Sequence, residues 1–367
     1  MVNIDPPEDL PDYHTTDYRS AYRECIVPKF SDFEEEVDEY RADLEDFIEQ
    51  EREHRRLINY CIFPFSQSDS LEGFRFVRAD PLEELDIPNF DFLLHDLEGR
   101  VIVGEAKATL PTNVKSEMND IREQINYFKF MREYIEDEYL GREIVHVEFV
   151  LATYQDYASK AARTILENGE NIVTWRVNRF SDTLNIEKEL PEEVPDNINS
   201  DSLSEGLQEL RRRCLHDIPQ LNSALEGYST ATGSVNVFPR SALVDKLRAI
   251  VRQYESEGRY AFVCYEDIKR EVKNGAMNYG EARIDEITEQ IIQEGIKIGI
   301  LEDWEKDLGD YKVVSQYTSR EGIEQTLTKK WVQNQIEEEK ESLREDCRAY
   351  ARQKAGEQAQ LDDFEDY

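Results

Sequence analysis

NFDFLLHDLEGRVIVGEAKAT, residues Asn89–Thr109, contains two apolar runs separated by a polar turn that ends in Gly99. The runs, FDFLL and RVIVGEAKA, are short, rich in Phe, Val, Ile and Leu, and bounded by Pro, Asp and Gly. Such runs are typical of β-strands, and two of them around a short polar turn are typical of a β-hairpin. The stretch therefore predicts a pair of antiparallel strands around which the neighbouring elements are arranged.

Three polar side chains, Asp91, Glu105 and Lys107, interrupt these apolar runs. If residues 97–99 form the loop and Gly99 adopts a left-handed conformation, Asp91 lies directly across from Glu105. A two-residue loop would shift the register by one position and separate the two carboxylates. The register of the hairpin therefore determines whether an acidic pair forms.

The alternation of strand side chains divides the second run into two faces. Glu105 and Lys107 share one face with Val101 and Val103. We expect a helix to pack closely against the other face, because its side chains are small or aliphatic. These residues are Ile102, Gly104, Ala106 and Ala108.

Two carboxylates that face each other at the end of a hairpin repel, and a bound divalent cation would remove that repulsion. Hard oxygen ligands favour Mg²⁺ or Mn²⁺, so we expect Asp91 and Glu105 to bind one of these ions. The ion would activate a water and stabilise charge on a phosphoryl oxygen, while Lys107 would orient the water or stabilise the phosphorus centre. The residue types therefore favour phosphodiester hydrolysis. The alternative is that Glu105 and Lys107 form an exposed ion pair on an edge strand.

Asp91, followed after thirteen intervening residues by Glu105-Ala106-Lys107, resembles the D…(D/E)-x-K signature of the PD-(D/E)xK nuclease superfamily. The resemblance covers residues 30–180 and implies the restriction-endonuclease-like fold, an α/β fold with a mixed central sheet flanked by helices. It also implies a nuclease dependent on Mg²⁺ or Mn²⁺, with Asp91, Glu105 and Lys107 as catalytic residues.

A helix predicted at Glu117–Tyr134 adds to the resemblance. Gln124 with Tyr127 or Phe128 is similar to the Q-x-x-x-Y element of RecB-like and archaeal NucS-like nucleases, with Phe128 in place of the tyrosine. In those branches the glutamine lies beside the metal, which implies a catalytic role for Gln124. The order of elements also resembles the nuclease domain of Shedu-type defence proteins.

The superfamily usually adds one more acid to the site from its N-terminal helix. Glu51 and Glu53 are the candidates in this chain, and we take Glu53 as the third metal ligand. The implied order of elements in the domain is α-β-β-β-α-β-α-β, with the last strand at Asn171–Phe180.

The chain carries 80 Asp and Glu residues against 44 Lys and Arg residues, a net charge of −36 over 367 residues. This is the opposite of the basic footprint that nucleic-acid-binding proteins usually show. In molar salt the Debye length is about 3 Å, so a very acidic surface stays soluble without strong self-repulsion. We interpret the charge as that of a protein from a halophile. The alternative is an acidic surface that mimics DNA.

The five cysteines are scattered along the chain, and no two of them form a C-x-x-C pair. We interpret them as core residues or free thiols in a reducing cytoplasm, and not as a zinc site or a disulfide framework. No signal peptide and no apolar run of membrane-spanning length is visible in the sequence. The sequence therefore predicts a cytoplasmic protein without a membrane partner. The cysteines are Cys25, Cys61, Cys214, Cys264 and Cys347.

Composition and periodicity divide the chain into five segments. An extended N-terminal arm, residues 1–30, contains several prolines and precedes the nuclease-like domain, residues 31–180, whose first helix is predicted to begin at Ser31. A linker rich in Pro, Asn and Asp, residues 181–237, leads to a winged-helix-like domain, residues 238–318. The last segment, residues 319–367, is predicted to be a charged helix followed by a disordered acidic tail.

Residues 238–318 resemble the winged helix-turn-helix class, in which three helices are followed by a hairpin and the third helix usually enters the major groove. The third helix, ARIDEITEQIIQEG at residues 282–295, has isoleucines on one face and mainly acids on the other. Acids repel phosphate, so we expect this domain to serve equally well for homodimerisation or for docking of a partner protein as for DNA binding.

The sequence as a whole favours a metal-dependent nuclease that hydrolyses DNA phosphodiester bonds in repair or defence. Two alternatives stay open. One is a non-catalytic DNA-binding or assembly protein that acts through the winged helix, and the other is an RNA-directed nuclease. Metal binding at Asp91 and Glu105 distinguishes the first alternative, and cleavage of matched DNA and RNA distinguishes the second.

Overall fold

The structure is a computed structural model, and its described residues fall into two compact units. The helical unit comprises Met1–Phe47 and Gln325–Tyr367, and the core unit comprises Ile48–Glu324. The structure describes residues 15–66, 74–110 except 80, 83, 84 and 86, 114–189 except 170, 181 and 182, 262–275, 281–305, 310–313 and 320–365.

The core unit contains a six-stranded sheet with helices on both faces. Its strands are β1 (Arg75–Ala79), β2 (Phe92–His95), β3 (Arg100–Lys107), β4 (His146–Tyr154), β5 (Ile172–Phe180) and β6 (Thr183–Glu189). The helices are residues 48–66 of α1 (Thr15–Ser66), α2 (Val114–Phe130), α3 (Arg132–Ile135) and α4 (Gln155–Glu167), with one π-helical turn at Glu136–Leu140. The helix predicted at Glu117–Tyr134 thus begins earlier and is interrupted at Met131.

The strands lie side by side in chain order. β1 pairs antiparallel with β2, and β2 pairs antiparallel with β3. The β3–β4 and β4–β5 pairs are parallel, and β6 returns antiparallel to β5. Parallel neighbours need crossover connections, which α2 supplies between β3 and β4 and α4 supplies between β4 and β5. The predicted α/β class, a mixed sheet flanked by helices, is confirmed.

The register of the β2–β3 hairpin is the one that a three-residue loop predicts. Phe92 pairs with Gly104, and continuing this register by one residue places Asp91 opposite Glu105. The prediction that the two carboxylates face each other across the hairpin is therefore confirmed.

The hairpin loop is fixed by a glycine and an aspartate. Gly99 has a φ of +84°, in the left-handed region that glycine adopts without strain. Asp96 Oδ1 accepts hydrogen bonds from the backbone N–H groups of Glu98 and Arg100 at 2.9 and 2.8 Å. Arg100 Nε also donates to Asp96 Oδ2. These bonds explain why the loop has three residues and not two.

Each face of the sheet carries its own hydrophobic core, as the alternation of side chains predicts. On one face α1 contributes Leu57, Ile58, Cys61, Ile62 and Phe65, and the strands contribute Phe92, Leu94, Ile102, Ala106, Ala152 and Trp175. On the other face α2 and α4 contribute Met118, Ile121, Ile125, Phe128, Ala161 and Ile165, and the strands contribute Leu93, Val101, Val103, Phe149 and Leu151.

Gly104 is small for a reason that differs from the expected one. A Cβ at Gly104 would lie 1.9 Å from Cζ of Phe92, so the aromatic ring of the paired strand occupies that space. The Phe92 ring also stacks on Trp175, with ring centroids 5.8 Å apart, inside the core cluster that includes α1. The absent side chain thus makes room for a ring within the hairpin, and the helix expected on this face, α1, packs in the same cluster as Ile102, Ala106 and Ala108.

The predicted start of the linker at residue 181 is wrong, because β6 occupies Thr183–Glu189 and pairs along β5. Its residues, TLNIEKE, are mostly polar, as suits the edge strand of a sheet. Ile186 is buried in the core below it, opposite Val177. Residues 190–237, including a helix predicted near Ser204, lie outside the described residues.

The helical unit pairs the first part of α1 with α7 (Arg320–Glu365), and the two helices run antiparallel. Tyr18, Ala21 and Tyr22 of α1 pack on Ala351 and Ala355 of α7. Both helices are long and heavily charged, and no helix within the described ranges is long and apolar enough to cross a membrane.

Two boundary predictions for these helices are wrong. The helix predicted to begin at Ser31 begins at Thr15, so residues 15–30 of the predicted extended arm are helical. Pro28 lies inside this helix, where proline is unfavourable, but the packing of Tyr18 and Tyr22 against α7 offsets that cost. The predicted acidic tail is also largely helical, because α7 continues to Glu365.

The interpretation of all five cysteines as unlinked thiols is wrong. Cys25 and Cys347 form a disulfide in the helical unit, with Cα atoms 5.5 Å apart, although 322 positions separate them in sequence. Spacing in the sequence cannot reveal this pair, because the antiparallel packing of α1 on α7 brings the two residues together. Cys61 is a free thiol, Cys264 forms no disulfide among the described residues, and Cys214 lies outside them.

Residues 262–313 form a small α+β arrangement within the core unit. Its elements are β7 (Phe262–Cys264), α5 (Tyr265–Gly275), α6 (Glu281–Lys297), β8 (Leu301–Glu305) and β9 (Asp310–Val313). The three strands form an antiparallel sheet in the order β7-β9-β8. The predicted isoleucine face of α6 is buried: Ile284, Ile287, Ile291 and Ile292. The first helix predicted for this region, around residues 241–258, lies outside the described part of the chain.

Candidate active site

Four polar side chains meet at the edge of the sheet where β3 ends. Asp91 precedes β2, Glu105 and Lys107 are at the end of β3, and Gln124 reaches in from α2. Asp91 and Glu105 are only 6% and 5% exposed. The structure therefore brings together the four residues that the sequence predicted to be catalytic. It also rules out the alternative of a solvent-exposed ion pair for Glu105 and Lys107, because Glu105 is buried.

Asp91 is held by contacts on two sides. Its Oδ2 accepts a hydrogen bond from the backbone N–H of Ala106 at 2.6 Å. The same oxygen lies 3.4 Å from Nε2 of His54, which belongs to α1. The first contact follows from the hairpin register, and the second joins a helix to the acidic pair.

Gln124 connects Glu105 to the main chain before β2. Its Nε2 donates to Glu105 Oε2 at 3.1 Å and to the backbone oxygen of Asn89 at 2.6 Å. Phe128, one turn further along α2, is buried in the core, where its ring packs edge-on against Phe90 and Phe149. Of the three residues compared with the Q-x-x-x-Y element, Gln124 contacts Glu105, Phe128 lies in the core, and no described hydrogen bond or ion pair joins Tyr127 to the site.

Lys107 lies between two carboxylates. Its Nζ is 3.0 Å from Glu105 Oε1 and 3.3 Å from Oε2 of Glu117, which is in the first turn of α2. The Glu105 side chain is 6% exposed, whereas those of Lys107 and Glu117 are 29% and 22% exposed. The Lys107 ammonium group is thus partly accessible to solvent, whereas the Glu105 carboxylate that it contacts is buried.

Burial and the neighbouring charges shift the pKa values of Glu105, His54 and Lys107. Burial, together with the charge of Asp91, raises the pKa of Glu105 to about 8. Burial lowers the pKa of His54, but the Asp91 carboxylate raises it by more, to about 9. Burial likewise lowers the pKa of Lys107, and the charges of Glu105 and Asp91 more than reverse this. The site therefore holds carboxylates that favour a neighbouring positive charge.

Glu53, predicted as the third metal ligand, is not brought to the acidic pair by any contact. Its Oε2 accepts a hydrogen bond from the Tyr154 hydroxyl at 3.2 Å, and its Oε1 pairs with Arg56. The next residue, His54, reaches Asp91 instead, because consecutive helical residues point about 100° apart. The side chain of Glu51, the other candidate acid, lies outside the described side chains.

His54 contacts the candidate site and was not predicted from the sequence. It precedes the buried residues Leu57, Ile58 and Cys61 by three, four and seven positions, which is the spacing of one helix face. A polar residue in line with a buried face is a signal that the sequence already contains. The many acids of α1 hide this signal, because any of them fits the expected ligand equally well.

The oxygen atoms at this edge suit a hard divalent cation, although they do not form a preassembled cage. Within the ranges that the structure describes, no group of three or more His, Cys, Asp and Glu side chains is arranged to hold a metal ion. Two carboxylates face each other, and Oε1 of Gln124 is buried without a hydrogen-bond partner. Mg²⁺ commonly uses only one or two carboxylates and completes its shell with water and substrate phosphate. Asp91 and Glu105 thus fit such an ion.

Comparison of the chain with known protein families, with curated proteins and with solved structures finds no match to any of them. The functional argument therefore depends on the geometry of the acidic pair and its neighbours.

Proposed function

We propose that this protein is a metal-dependent nuclease that hydrolyses the phosphodiester bonds of DNA, in repair or in defence. The observation that supports this proposal best is the pairing of two buried carboxylates, Asp91 and Glu105, across a hairpin, with Lys107 at 3.0 Å from Glu105. Buried carboxylates that repel each other are costly unless they serve a site. The resemblance to the PD-(D/E)xK superfamily, with its restriction-endonuclease-like fold, gives this site its chemical class.

Asp91 and Glu105 would hold the cation, Mg²⁺ or Mn²⁺, and Gln124 would orient Glu105 from its position on α2. When bound, the cation would activate a water and neutralise charge on the phosphoryl oxygens. Lys107 contributes a positive charge beside the same carboxylates, where it would steady the water or the negative charge that develops on phosphate. His54 fixes the orientation of Asp91 through its contact with Oδ2.

Residues 262–313 would supply targeting or assembly. Their two helices and three-stranded antiparallel sheet support the proposed winged helix, whose later elements would be of these kinds. Asp285 on α6 is already paired with Lys269, at 2.5 Å, and is bonded to the Tyr265 hydroxyl. The acidic helix suits a homodimer or a partner protein at least as well as a DNA groove. We therefore assign the phosphodiester substrate to the acidic pair and partner binding to this region.

A second candidate is a non-catalytic DNA-binding or assembly protein built on the same fold. The observation in its favour is that no cluster of three metal-binding side chains occurs among the described residues. A preference for RNA over DNA is the third possibility. The acidic pair acts on the phosphodiester group, which both nucleic acids share, and does not distinguish their sugars.

One assay separates these functions. The full chain is incubated at high potassium chloride with Mg²⁺, and with chelator instead, on single-stranded, double-stranded, branched and mismatched DNA and on matched RNA. We expect Mg²⁺-dependent cleavage of at least one DNA that Glu105→Gln abolishes. Binding of DNA without cleavage in any metal would indicate the non-catalytic protein, and cleavage of RNA alone would indicate the ribonuclease.

A further inference from the structure

Glu117 lies at the site but belongs to none of the roles assigned above. It is in the first turn of α2, and its Oε2 is 3.3 Å from Nζ of Lys107. Lys107 therefore has two carboxylate partners on different elements, Glu105 from its own strand and Glu117 from the helix.

The two carboxylate partners of Lys107 differ in their other interactions. Glu105 is also paired with Asp91 across the hairpin and, under the proposed function, binds a divalent cation. A cation on that carboxylate repels the ammonium group and weakens its attraction to Glu105. Lysine has a long flexible stem and loses appreciable side-chain entropy when it is held in one place. When a cation binds Glu105, a Lys107 side chain without a second partner would therefore populate many rotamers.

Glu117 is suited to act as that second partner. It has no contact with Asp91 among the described hydrogen bonds and ion pairs, so a cation on the acidic pair leaves its carboxylate available. Its side chain is less exposed than that of a freely solvated glutamate, at 22%, which limits the screening of its attraction for Lys107.

We propose that Glu117 is a positioning residue, which keeps the Lys107 ammonium beside the reaction centre when a divalent cation engages Glu105. This inference rests on the proposed nuclease function and adds a residue to its site. The competing explanation is purely structural, since an acid in the first turn of a helix stabilises that helix whether or not it contacts a lysine.

Steady-state kinetics on Glu117→Ala, Glu117→Gln and Asp120→Ala distinguishes the two roles. Asp120 is exposed on the same helix, so its replacement changes the net charge equally without touching Lys107. We expect Glu117→Ala to lower kcat about tenfold with little change in KM, as is typical for the loss of an outer partner of a functional group. Glu117→Gln should restore most of kcat, because its amide oxygen still accepts from the ammonium. Equal kcat values for Glu117→Ala and Asp120→Ala would overturn the proposal.

A measurement that does not depend on cleavage completes the test. The rate at which an amine-reactive reagent modifies Lys107 is followed by mass spectrometry, with and without Mg²⁺, in the wild type and in Glu117→Ala. We expect Mg²⁺ to change the rate little in the wild type and to raise it several-fold in the variant, where Lys107 loses both partners. Calorimetry with Mn²⁺ on the wild type identifies the source of a failure. A wild type that binds no Mn²⁺ overturns the proposed function and this inference with it, whereas Mn²⁺ binding with equal responses in both proteins overturns the role of Glu117 alone.

Discussion

His54 of α1 and Asp91 before β2 are 37 positions apart in the chain, and Nε2 of the histidine lies 3.4 Å from Oδ2 of the aspartate. This contact joins the helix on one face of the sheet to an acidic pair whose other member, Glu105, is held by Gln124 from the opposite face. Each carboxylate thus has its own helical support, and the two supports can be tested separately.

Replacement of His54 by alanine should impair cleavage far more than replacement of Glu53. Removing the group that orients a metal-binding carboxylate commonly costs about 10- to 100-fold in activity or metal affinity, and we expect Glu53→Ala to remain close to wild type. The measurements are initial cleavage rates at saturating Mg²⁺ and Mn²⁺ affinity by calorimetry. A larger loss for Glu53→Ala than for His54→Ala would restore the ligand set that the sequence predicted.

Asp91→Asn and Glu105→Gln should each abolish cation binding and cleavage while the protein stays folded. Both variants keep an oxygen that accepts a hydrogen bond but lack the negative charge. In the protein without a bound cation, the loss of one charge removes the repulsion between the two buried side chains. We therefore expect an unfolding temperature equal to or above that of the wild type in chelator. Glu98→Gln, an exposed acid in the same hairpin, is the control. Retention of near wild-type cleavage in either site variant would refute the assignment.

Gly104→Ala should destabilise the core unit, because the new methyl group would meet the Phe92 ring at a distance no pair of carbons tolerates. Overpacking of this kind costs about 1–3 kcal/mol. Chemical denaturation followed by circular dichroism measures the loss, and Phe92→Leu alone provides the reference. The double variant should recover part of the stability that Gly104→Ala loses. Simple addition of the two losses would show that the ring does not limit this position.

Asp96 should make the hairpin sensitive to acid. Burial raises the pKa of Asp96, but hydrogen bonds from Arg100 and Glu98 lower it by more, so the folded-state pKa lies below the unfolded one. The stabilisation is therefore complete above the unfolded pKa and is lost as the pH falls through the folded pKa. Thermal unfolding of the wild type and of Asp96→Asn should differ most near about pH 6, and the difference should shrink as the pH falls below about 3.9, the ordinary pKa of aspartate. A difference that stays constant over this range would mean that the charge of Asp96 contributes nothing.

Cleavage should increase with potassium chloride into the molar range. DNA binding normally weakens as salt rises, but a chain with a net charge of −36 repels DNA at low ionic strength, and salt screens that repulsion. Assays at fixed Mg²⁺, with folding followed in parallel by circular dichroism, separate binding from stability. A steep loss of DNA binding between dilute and molar salt in a protein that remains folded would contradict the interpretation of a halophile.

The features predictable from the sequence are those that local rules control. The left-handed Gly99 and the three-residue loop set the register of the hairpin, and of the two loop lengths that the sequence left open this is the one that juxtaposes Asp91 and Glu105. Alternation along β3 likewise predicted which side chains face each core. Such short-range constraints involve few residues and leave little room for tertiary structure to override them.

The features that the sequence did not reveal depend on distant partners. Pro28 argues for a helix boundary by itself, and only packing against α7 explains why α1 continues through it. β6 is polar because it is an edge strand, and its composition therefore resembled that of a linker. His54 reaches the candidate site only because α1 passes Asp91 at a particular rotation, which a count of acids in that helix cannot show.

The disulfide between Cys25 and Cys347 turns a linear chain into one that contains a closed covalent ring. It closes residues 25–347 into a ring. A single cut by a protease anywhere inside that ring opens it without releasing a fragment, and the two new ends stay tethered through sulfur. Such a nicked molecule would migrate as one species on a non-reducing gel and separate into two only after reduction.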